Sequence, residues 1–252
     1  MLNGKIVFIT GATSGIGKSC AIKFAKEGAK LIVAARRKDR LDKLKSELKT
    51  DVKTIVIDIR NNIDVLKAIS NLEDEWKKID ILINNAGLAR GFSKIYEGDQ
   101  KEWDEMIDTN IKGLLNVTKH ILPLMVKREM GHVINIGSTA GHEVYPYGNV
   151  YAATKFAVKA LTQSTRLDVL DKGIKVSSVD PGMVETEFSL VRFSGDEQKA
   201  KNVYKGLTPL TPDDVADAVL FCAKTPAHVN INEIILTPLA QASSTQVHRK
   251  TN

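Results

Sequence analysis

The sequence predicts a single α/β domain built on a mostly parallel β-sheet. Seven short runs rich in β-branched residues recur along the chain, and they are apolar continuously rather than at alternate positions. Such runs are typical of strands that are covered on both faces. Amphipathic stretches with helical periodicity separate the runs, and strand–helix–strand repetition at this interval indicates right-handed crossovers. A chain of 252 residues without a Pro-, Gly- or Ser-rich linker can bury a substantial core as one domain.

The elements follow one another in a regular order until late in the chain. The predicted strands occupy residues 5–10, 30–35, 53–59, 79–86, 132–138, 174–182 and 232–238, and the predicted helices occupy 17–29, 38–49, 62–78, about 100–129, about 150–172 and 211–224. The stretch at about 183–212 does not fit, because it is too long for an ordinary connection. It follows the carboxyl end of the sixth strand, where open α/β sheets bind ligands. We therefore expect a substrate lid there rather than a merely flexible insertion.

Composition and charge exclude several classes of function. The apolar fraction of 43%, the charged fraction of 26% and the net charge of +6 are those of an ordinary, mildly basic globular protein. Basic residues are scattered without aromatic interleaving, which argues against a nucleic-acid partner. Two cysteines are too few for a disulfide framework or a metal cluster, so we expect no metal and a reducing compartment. No signal peptide precedes the first strand and no apolar run approaches 18 residues, so we expect a cytoplasmic protein without a membrane partner.

The stretch “GATSGIGKS” at 11–19 has two interpretations. Counted from Ala12, it is nearly the phosphate loop of an ATP- or GTP-hydrolysing protein, with Ala in place of the first Gly. Counted from Gly11, it is a spaced variant of the dinucleotide-binding turn, with Gly15 and Gly17. Both work by the same physics, since glycines admit phosphates close to the backbone and a helix start offers unpaired N–H groups. The stretch alone therefore predicts a phosphate site and leaves its carrier open.

The end of the second strand favours a dinucleotide. An acid at this position would take the free ribose hydroxyl of NAD, whereas basic residues accommodate the phosphate of NADP. The chain has Arg36 and Arg37 there, and no acid occurs before Asp39. Guanidinium groups make charge-assisted, often bidentate bonds with a phosphate. Basic residues also commonly open a solvent-exposed helix, but the pattern favours NADP over NAD.

“YAATK” places Tyr151 and Lys155 at i and i+4 on a predicted helix, so that their side chains share one face. Tyrosine ordinarily has a pKa near 10 and is a poor base at neutral pH. A neighbouring ammonium and a positive nicotinamide ring would lower that pKa, which predicts a general acid/base for an alcohol or carbonyl. The motif alone is weak, because a chance surface pair would look the same.

Three further polar residues strengthen the interpretation. Ser138 ends the fifth strand, 13 residues before Tyr151, where a hydroxyl can bond a reacting oxygen or cap a turn. Asn85 lies in “NNAG” at the end of the fourth strand, where small residues let the backbone lie against a cofactor. Asn110 lies in the middle of a predicted helix, where a polar side chain is mildly unfavourable without a partner.

Taken in chain order, “TGATSGIG”, “NNAG”, Asn110, Ser138, “YAATK” and “PG” at 181–182 resemble the short-chain dehydrogenase/reductase family. The resemblance covers residues 5 to about 240. It implies one Rossmann domain over 1–252, with a doubly wound seven-stranded parallel sheet, helices on both faces and usually a homotetramer. It also implies that Gly17-Lys18-Ser19 belongs to a helix start and not to a nucleotide-hydrolysing loop.

The resemblance implies a role for each matching residue. Tyr151 would be the general acid/base, Lys155 would tune it and hold the nicotinamide ribose, Ser138 would orient the substrate oxygen, and Asn110 would hold a proton-relaying water. The implied cofactor-binding residues are Gly11, Thr13, Ser14, Gly15, Ile16, Gly17, Arg36, Arg37, Asp58, Ile59, Asn85, Ala86, Gly87, Tyr151, Lys155, Pro181, Gly182, Val184 and Thr186. One departure is Gly137, where many members of the family have a second serine.

The stretch from 181 to 221 and the tail “QAS” are similar to the NADP-dependent 3-hydroxy acid dehydrogenases, which act on serine, allo-threonine and 3-hydroxypropionate. An acidic substrate needs a cation, and we expect Arg192 in the lid to bind its carboxylate, with Ser138 and Tyr151 at its oxygen. The alternatives are an Arg192 that faces solvent or a neighbouring subunit, a broad NADPH-dependent ketone or aldehyde reductase, and a non-catalytic NADPH sensor. The set of Ser138, Tyr151 and Lys155 argues against the sensor, which has no need of a proton-transferring tyrosine.

Overall fold

The computed structural model describes residues 2–250 and confirms the predicted fold class. The predicted domain, 1–252, also includes residues 1, 251 and 252, which lie outside the described part. The strands are β1 (Ile6–Thr10), β2 (Lys30–Ala35), β3 (Val52–Val56), β4 (Ile79–Asn84), β5 (Gly131–Ile136), β6 (Ile174–Pro181) and β7 (Glu233–Leu236). They form one sheet in the order β3-β2-β1-β4-β5-β6-β7, and every neighbouring pair is parallel.

Helices cover both faces of the sheet. They are α1 (Gly15–Lys26), α2 (Lys38–Glu47), α3 (Asn62–Ser70), α4 (Gln100–Ile107), α5 (Leu114–Val126), α6 (Asn149–Asp168), α7 (Glu187–Arg192), α8 (Glu197–Asn202) and α9 (Pro212–Lys224). Phe24 of α1 and Val219 of α9 belong to the core cluster of one face, and Val65 of α3 and Ile121 of α5 belong to that of the other. Burial of such a side chain contributes about 1.5–3 kcal/mol, so both layers are held by apolar packing. None of the described helices is long and apolar enough to cross a membrane.

Two predicted helices differ from the structure. The helix expected over 62–78 ends at Ser70, because turns at 71–77 bring Leu72 into the core and Trp76 against it. The helix expected over about 100–129 is interrupted at Asp108–Gly113 by a wider turn of π type, which separates α4 from α5. π-Type turns inside helices occur frequently at functional sites.

The strand order places a ligand crevice between β1 and β4. The chain runs outward from β1 through β2 to β3 and then returns to β4 on the other side of β1. Open α/β sheets bind ligands at such a reversal, outside the carboxyl ends of the strands. Thr10 ends β1 and Asn84 ends β4, so the segments that follow them, 11–17 and 85–88, border this crevice.

The 183–212 segment is folded rather than structureless, since it contains α7 and α8. The Thr186 hydroxyl accepts a hydrogen bond from the Phe188 N–H (3.1 Å) and caps α7. The Tyr204 hydroxyl bonds with the Ser189 hydroxyl (2.7 Å) and donates to the Val184 carbonyl (2.8 Å). The segment is therefore held by its own polar contacts, in the position in which the sequence predicts a lid.

Candidate active site

A cavity of about 920 Å³ opens at the carboxyl ends of the strands. It runs along the glycine turn after β1, and the same lining includes Arg36 and Arg37 after β2 and Tyr151 on α6. Every predicted site residue lines it except Gly17 and Asn110. A volume of this size is within the range of small-molecule and cofactor sites.

The turn after β1 is built for close approach of the backbone. Gly11 has a φ of +63°, and a Cβ atom added to it would lie 2.9 Å from the Ala86 Cα. A Cβ on Gly17 would collide with the Gly11 carbonyl oxygen and the Asn85 amide. The Asn85 amide donates to the carbonyls of Thr10 (2.9 Å) and Gly11 (3.2 Å), so it holds the turn in place. Gly17 therefore acts inside the turn and does not face the cavity, which corrects its predicted place in the cofactor site.

The start of α1 fits a phosphate group. Its N-cap residue, Ser14, makes no side-chain hydrogen bond to the helix, and the first turn contains no acidic residue. The first N–H groups of α1 are thus uncapped by the protein at a helix end that favours anions. Lys18 lies outside the cavity lining, and its Nζ pairs with Glu47 Oε2 at 2.8 Å. These contacts favour the dinucleotide interpretation over a nucleotide-hydrolysing loop, in which the lysine would reach the phosphates.

The end of β2 presents two exposed guanidinium groups to the cavity. Within residues 2–250, Arg36 has no ion-pair partner within 4 Å, while Arg37 Nη2 lies 3.8 Å from Glu187 Oε2. No acidic side chain of β2 lines the cavity. This arrangement fits a phosphorylated ribose better than a free one.

Tyr151 and Lys155 lie near the start of α6, and each side chain is only 8% exposed. Lys155 Nζ lies 5.9 Å from the centre of the Tyr151 ring and donates a hydrogen bond to the Ile136 carbonyl (2.9 Å). Ser138 follows β5, and its hydroxyl accepts a hydrogen bond from the Ala140 N–H (3.1 Å). The same side chain is close enough to the Tyr151 phenol to lower its pKa. The hydroxyl of Ser138 therefore both caps a turn and reaches the phenol.

The protonation of this pair is dominated by burial. Burial raises the pKa of Tyr151 above its ordinary value of 10, the nearby Tyr145 adds to the rise, and the bond with Ser138 and the charge of Arg192 act in the opposite direction. Burial also lowers the pKa of Lys155 to about 8, against the attraction of Asp180. The predicted lowering of the tyrosine pKa depends on both Lys155 and a bound nicotinamide and stays a prediction for that complex, whereas burial raises the pKa in the chain by itself. The Lys155 ammonium donates to the Ile136 carbonyl rather than to the phenol, and Lys155 is not among the groups that shift the pKa of Tyr151.

Asn110 is placed differently from the prediction. Its side chain is 2% exposed, its Oδ1 accepts from the Leu88 N–H (2.9 Å), and its Nδ2 donates to the Leu88 carbonyl (2.8 Å) and the Thr154 hydroxyl (3.0 Å). The amide thus ties the π-type turn to the segment after β4 and to α6. Because its side chain is committed to these partners and does not line the cavity, any role in holding water falls to its main chain.

Arg192 extends from α7 over Tyr151. Its guanidinium carbon lies 5.0, 5.5 and 5.6 Å from the ring centres of Phe92, Tyr145 and Tyr151. Its Nη2 donates to the Tyr145 hydroxyl (2.8 Å), and its Nε donates to the Gly91 carbonyl (3.2 Å). The cation is therefore held beside the ring of Tyr151, and its predicted contact with a substrate carboxylate stays a prediction.

Several residues of the cavity wall were not predicted from the sequence. They come from irregular segments and from the chain's last part: Phe92, Tyr145, Gln241, Ser244, Thr245 and Arg249. Gln241 begins the “QAS” tail noted in the sequence, and the others share no spacing that a motif would reveal. The Gln241 Oε1 accepts a hydrogen bond from the Met183 N–H (2.9 Å), which fixes the last segment against the residue after “PG”. The two aromatic residues could have been suspected only from their position in loops.

Comparison with known proteins identifies the family of the chain. Residues 5–196 match the family model described as short chain dehydrogenase. The chain is 45% identical over 246 residues to the NADP-dependent 3-hydroxy acid dehydrogenase YdfG of Salmonella typhi, covering 97% of this chain and 99% of that protein. It is 44% identical to the serine 3-dehydrogenase of Rhizobium radiobacter, covering 97% and 98%. The solved closed form of a serine dehydrogenase complexed with NADP⁺ superposes with a TM-score of 0.93 at 44% identity, over 97% of this chain and all of that one. The chain belongs to the short-chain dehydrogenase family.

Proposed function

We propose that the protein is an NADP-dependent oxidoreductase that moves a hydride between the nicotinamide ring and the 3-carbon of short 3-hydroxy or 3-oxo acids. One observation carries the proposal: Arg192 lies over Tyr151 in a cavity that also includes Arg36 and Arg37. Arg36 and Arg37 suit a phosphorylated coenzyme, and Arg192 together with Tyr151 suits an acid whose hydroxyl reacts. The relatives named for NADP-dependent 3-hydroxy acid and serine dehydrogenation support the same class of substrate.

The coenzyme site is proposed to extend along the crevice. The uncapped start of α1 would receive the pyrophosphate, Arg36 and Arg37 the 2′-phosphate, and Asp58 and Ile59 the adenine end. Lys155 would hold the nicotinamide ribose, and Pro181, Gly182, Val184 and Thr186 would border the nicotinamide. When bound, the coenzyme supplies the two-electron acceptor or donor, which no side chain of this chain can provide.

Tyr151 is proposed to move the proton of the reaction. In the oxidative direction, its phenolate accepts the proton of the substrate hydroxyl while a hydride leaves the carbon that bears this hydroxyl. In the reductive direction, the Tyr151 hydroxyl returns that proton. Ser138 would hold the reacting oxygen beside the phenol. Because burial raises the pKa of Tyr151, the phenolate depends on the positive charge of Arg192, which already lowers that pKa, and of the oxidised nicotinamide. Lys155 would contribute through the nicotinamide ribose that it holds.

Arg192 is proposed to select the acid. Its guanidinium is stacked among aromatic rings and keeps donors beyond those used by Tyr145 and Gly91. A carboxylate placed two carbons from the reacting hydroxyl could bond there while the hydroxyl meets Tyr151.

We also propose a homotetramer in the cytoplasm. A tetramer with closed symmetry needs more than one interface. Exposed apolar side chains occur in two regions, with Leu115 and Phe156 on α5 and α6, and Phe221 and Ile235 on α9 and β7. The free thiols of Cys20 and Cys222 are compatible with a reducing compartment.

The function is tested by steady-state assays with a matched pair of substrates. We expect turnover of 3-hydroxypropionate with NADP⁺, a much lower kcat/KM with NAD⁺, and a lower kcat/KM for methyl 3-hydroxypropionate, which lacks the charge. Equal kcat/KM for the acid and its ester would contradict the proposed substrate class. Equal values with NAD⁺ and NADP⁺ would contradict the coenzyme assignment.

A further inference from the structure

A carboxylate of the 183–212 segment lies at the arginines that follow β2. Glu187 is the first residue of α7, and its two carboxylate oxygens each lie 2.9 Å from Arg40 Nη1 on α2. The same carboxylate lies 3.8 Å from Arg37 Nη2. The contact joins residues 147 positions apart, so it ties α7 directly to the segment that is proposed to hold the 2′-phosphate.

The neighbouring residues place this contact inside the coenzyme crevice. Glu187, Arg36 and Arg37 all line the large cavity. Thr186 lies against the glycine turn, since a Cβ on Gly15 would come within 3.2 Å of the Thr186 methyl group. A ligand that runs from the glycine turn to the end of β2 must therefore pass beside Glu187.

A carboxylate and a phosphate cannot use the same guanidinium donors independently. Within residues 2–250, the Glu187 carboxylate forms ion pairs with two arginines, Arg40 at 2.9 Å and Arg37 at 3.8 Å. A 2′-phosphate bound to Arg37 would displace Glu187 from it and would also repel it. NAD(H) carries no charge at the ribose 2′ position and would leave the ion pair of Glu187 with Arg37 intact.

We propose that Glu187 is a specificity-determining residue, an internal competitor that occupies Arg37 and Arg40 and weakens binding of 2′-phosphorylated ligands. The proposal rests on the proposed position of the 2′-phosphate. Coupling between two sites is reciprocal. The 2′-phosphate therefore weakens the ion pairs that hold the start of α7 by the same factor by which those ion pairs weaken binding of the phosphate. NADP(H), but not NAD(H), would thereby loosen the start of the segment that carries Arg192.

The effect is modest because the groups are partly exposed. Glu187 and Arg37 side chains are each 47% exposed, and Arg40 is 37% exposed, so solvent screens the interaction. One unit charge a few ångströms from a phosphate in such surroundings changes affinity by about threefold. That change is measurable by titration.

The test compares two small probes on the whole protein. Dissociation constants of adenosine 2′,5′-bisphosphate and 5′-AMP are measured by calorimetry for the wild type, Glu187→Gln and Glu185→Gln. Glu185→Gln is the matched control, since it removes the same charge two positions away, where Glu185 has no ion pair within the described residues. We expect Glu187→Gln to bind the bisphosphate about threefold more tightly with unchanged 5′-AMP affinity, and Glu185→Gln to bind both as the wild type does.

Other results would overturn the proposal. An equal gain for both probes, or the same gain in Glu185→Gln, would mean a general charge effect. An unchanged or weakened bisphosphate affinity would mean that Glu187 does not compete and instead holds the arginines in place. The variant Arg36→Ala/Arg37→Ala tests the proposed 2′-phosphate site independently of Glu187. If this variant loses the preference for the bisphosphate over 5′-AMP, the assignment of the phosphate site stands even where Glu187→Gln has no effect.

Discussion

Replacement of Lys155 by methionine is expected to stabilise the folded protein while it removes activity. Burial lowers the pKa of the Lys155 ammonium from 10.5 to about 8, so the folded state holds this charge at a cost. The difference corresponds to about 3 kcal/mol at 1.36 kcal/mol per pKa unit. Methionine has a similar length without the charge, and it loses the hydrogen bond to the Ile136 carbonyl, which contributes about 1 kcal/mol. The net gain in unfolding free energy is therefore about 2 kcal/mol near pH 7.

The dependence of this gain on pH identifies its cause. Below pH 8 both the folded and the unfolded wild type carry the proton, so the penalty is fully present. Between pH 8 and 10.5 the unfolded chain binds the proton more tightly than the folded one, and wild-type stability rises relative to that of the variant. The advantage of Lys155→Met should therefore disappear as pH rises through this window.

The assay is urea unfolding of both proteins without coenzyme, at pH 7, 8, 9 and 10, with a thermal melt at pH 7 as a check. A gain of about 2 kcal/mol corresponds to a rise in Tm of about 4–8 °C for a chain of this size. Such a gain would place Lys155 among active-site residues that reduce stability in exchange for function. A variant less stable than the wild type at pH 7, or a difference independent of pH, would refute the reasoning.

Two further predictions concern the substrate and the packing beneath it. Arg192→Ala should raise KM for 3-hydroxypropionate at least tenfold and change KM for an uncharged alcohol much less, and equal effects in parallel steady-state assays would refute the role of Arg192 at the carboxylate. Gly137→Ala should lower the free energy of unfolding by about 1–3 kcal/mol, because its Cβ would collide with the Asp180 carboxylate. In a double-mutant cycle measured by urea unfolding the cost should fall in an Asp180→Ala background, and full additivity would contradict this explanation.

The packing around Gly137 also explains the departure from the family pattern. Asp180 is 2% exposed, its Oδ2 lies 2.6 Å from His142 Nε2, and its other oxygen bonds with the Ser178 hydroxyl. This carboxylate fills the space that a side chain at 137 would need. A second serine before Ser138 is therefore incompatible with the present position of Asp180.

The sequence predicts the sheet well because its strands depend on local pattern. Each predicted strand overlaps an observed one, since continuous apolar runs are unambiguous between amphipathic helices. The helix ends are less predictable. The break after Ser70 depends on burial of Leu72, and the π-type turn depends on the bonds of Asn110 with Leu88, both of which are tertiary contacts.

The site is predictable where a motif fixes a residue's place on an element. Tyr151 and Lys155 share a face because four residues separate them, and Arg36 and Arg37 reach the crevice because β2 ends before them. The protonation of Tyr151 is not predictable in this way, because burial of the phenol is a property of the folded chain. The contact of Glu187 with Arg40 likewise has no signal in the sequence, since it joins separate elements.

The central claim is that Tyr151 transfers the proton in an NADP-linked reaction, and Tyr151→Phe tests it most directly. The change removes one oxygen from a buried ring that packs edge-on against Phe188 at 5.5 Å, so the fold and the coenzyme site should persist. We expect the Kd for NADPH, measured by fluorescence titration, to stay within about threefold of wild type, while kcat for 3-hydroxypropionate falls by at least about 10². A variant that binds NADPH normally and retains most of its kcat would contradict the account.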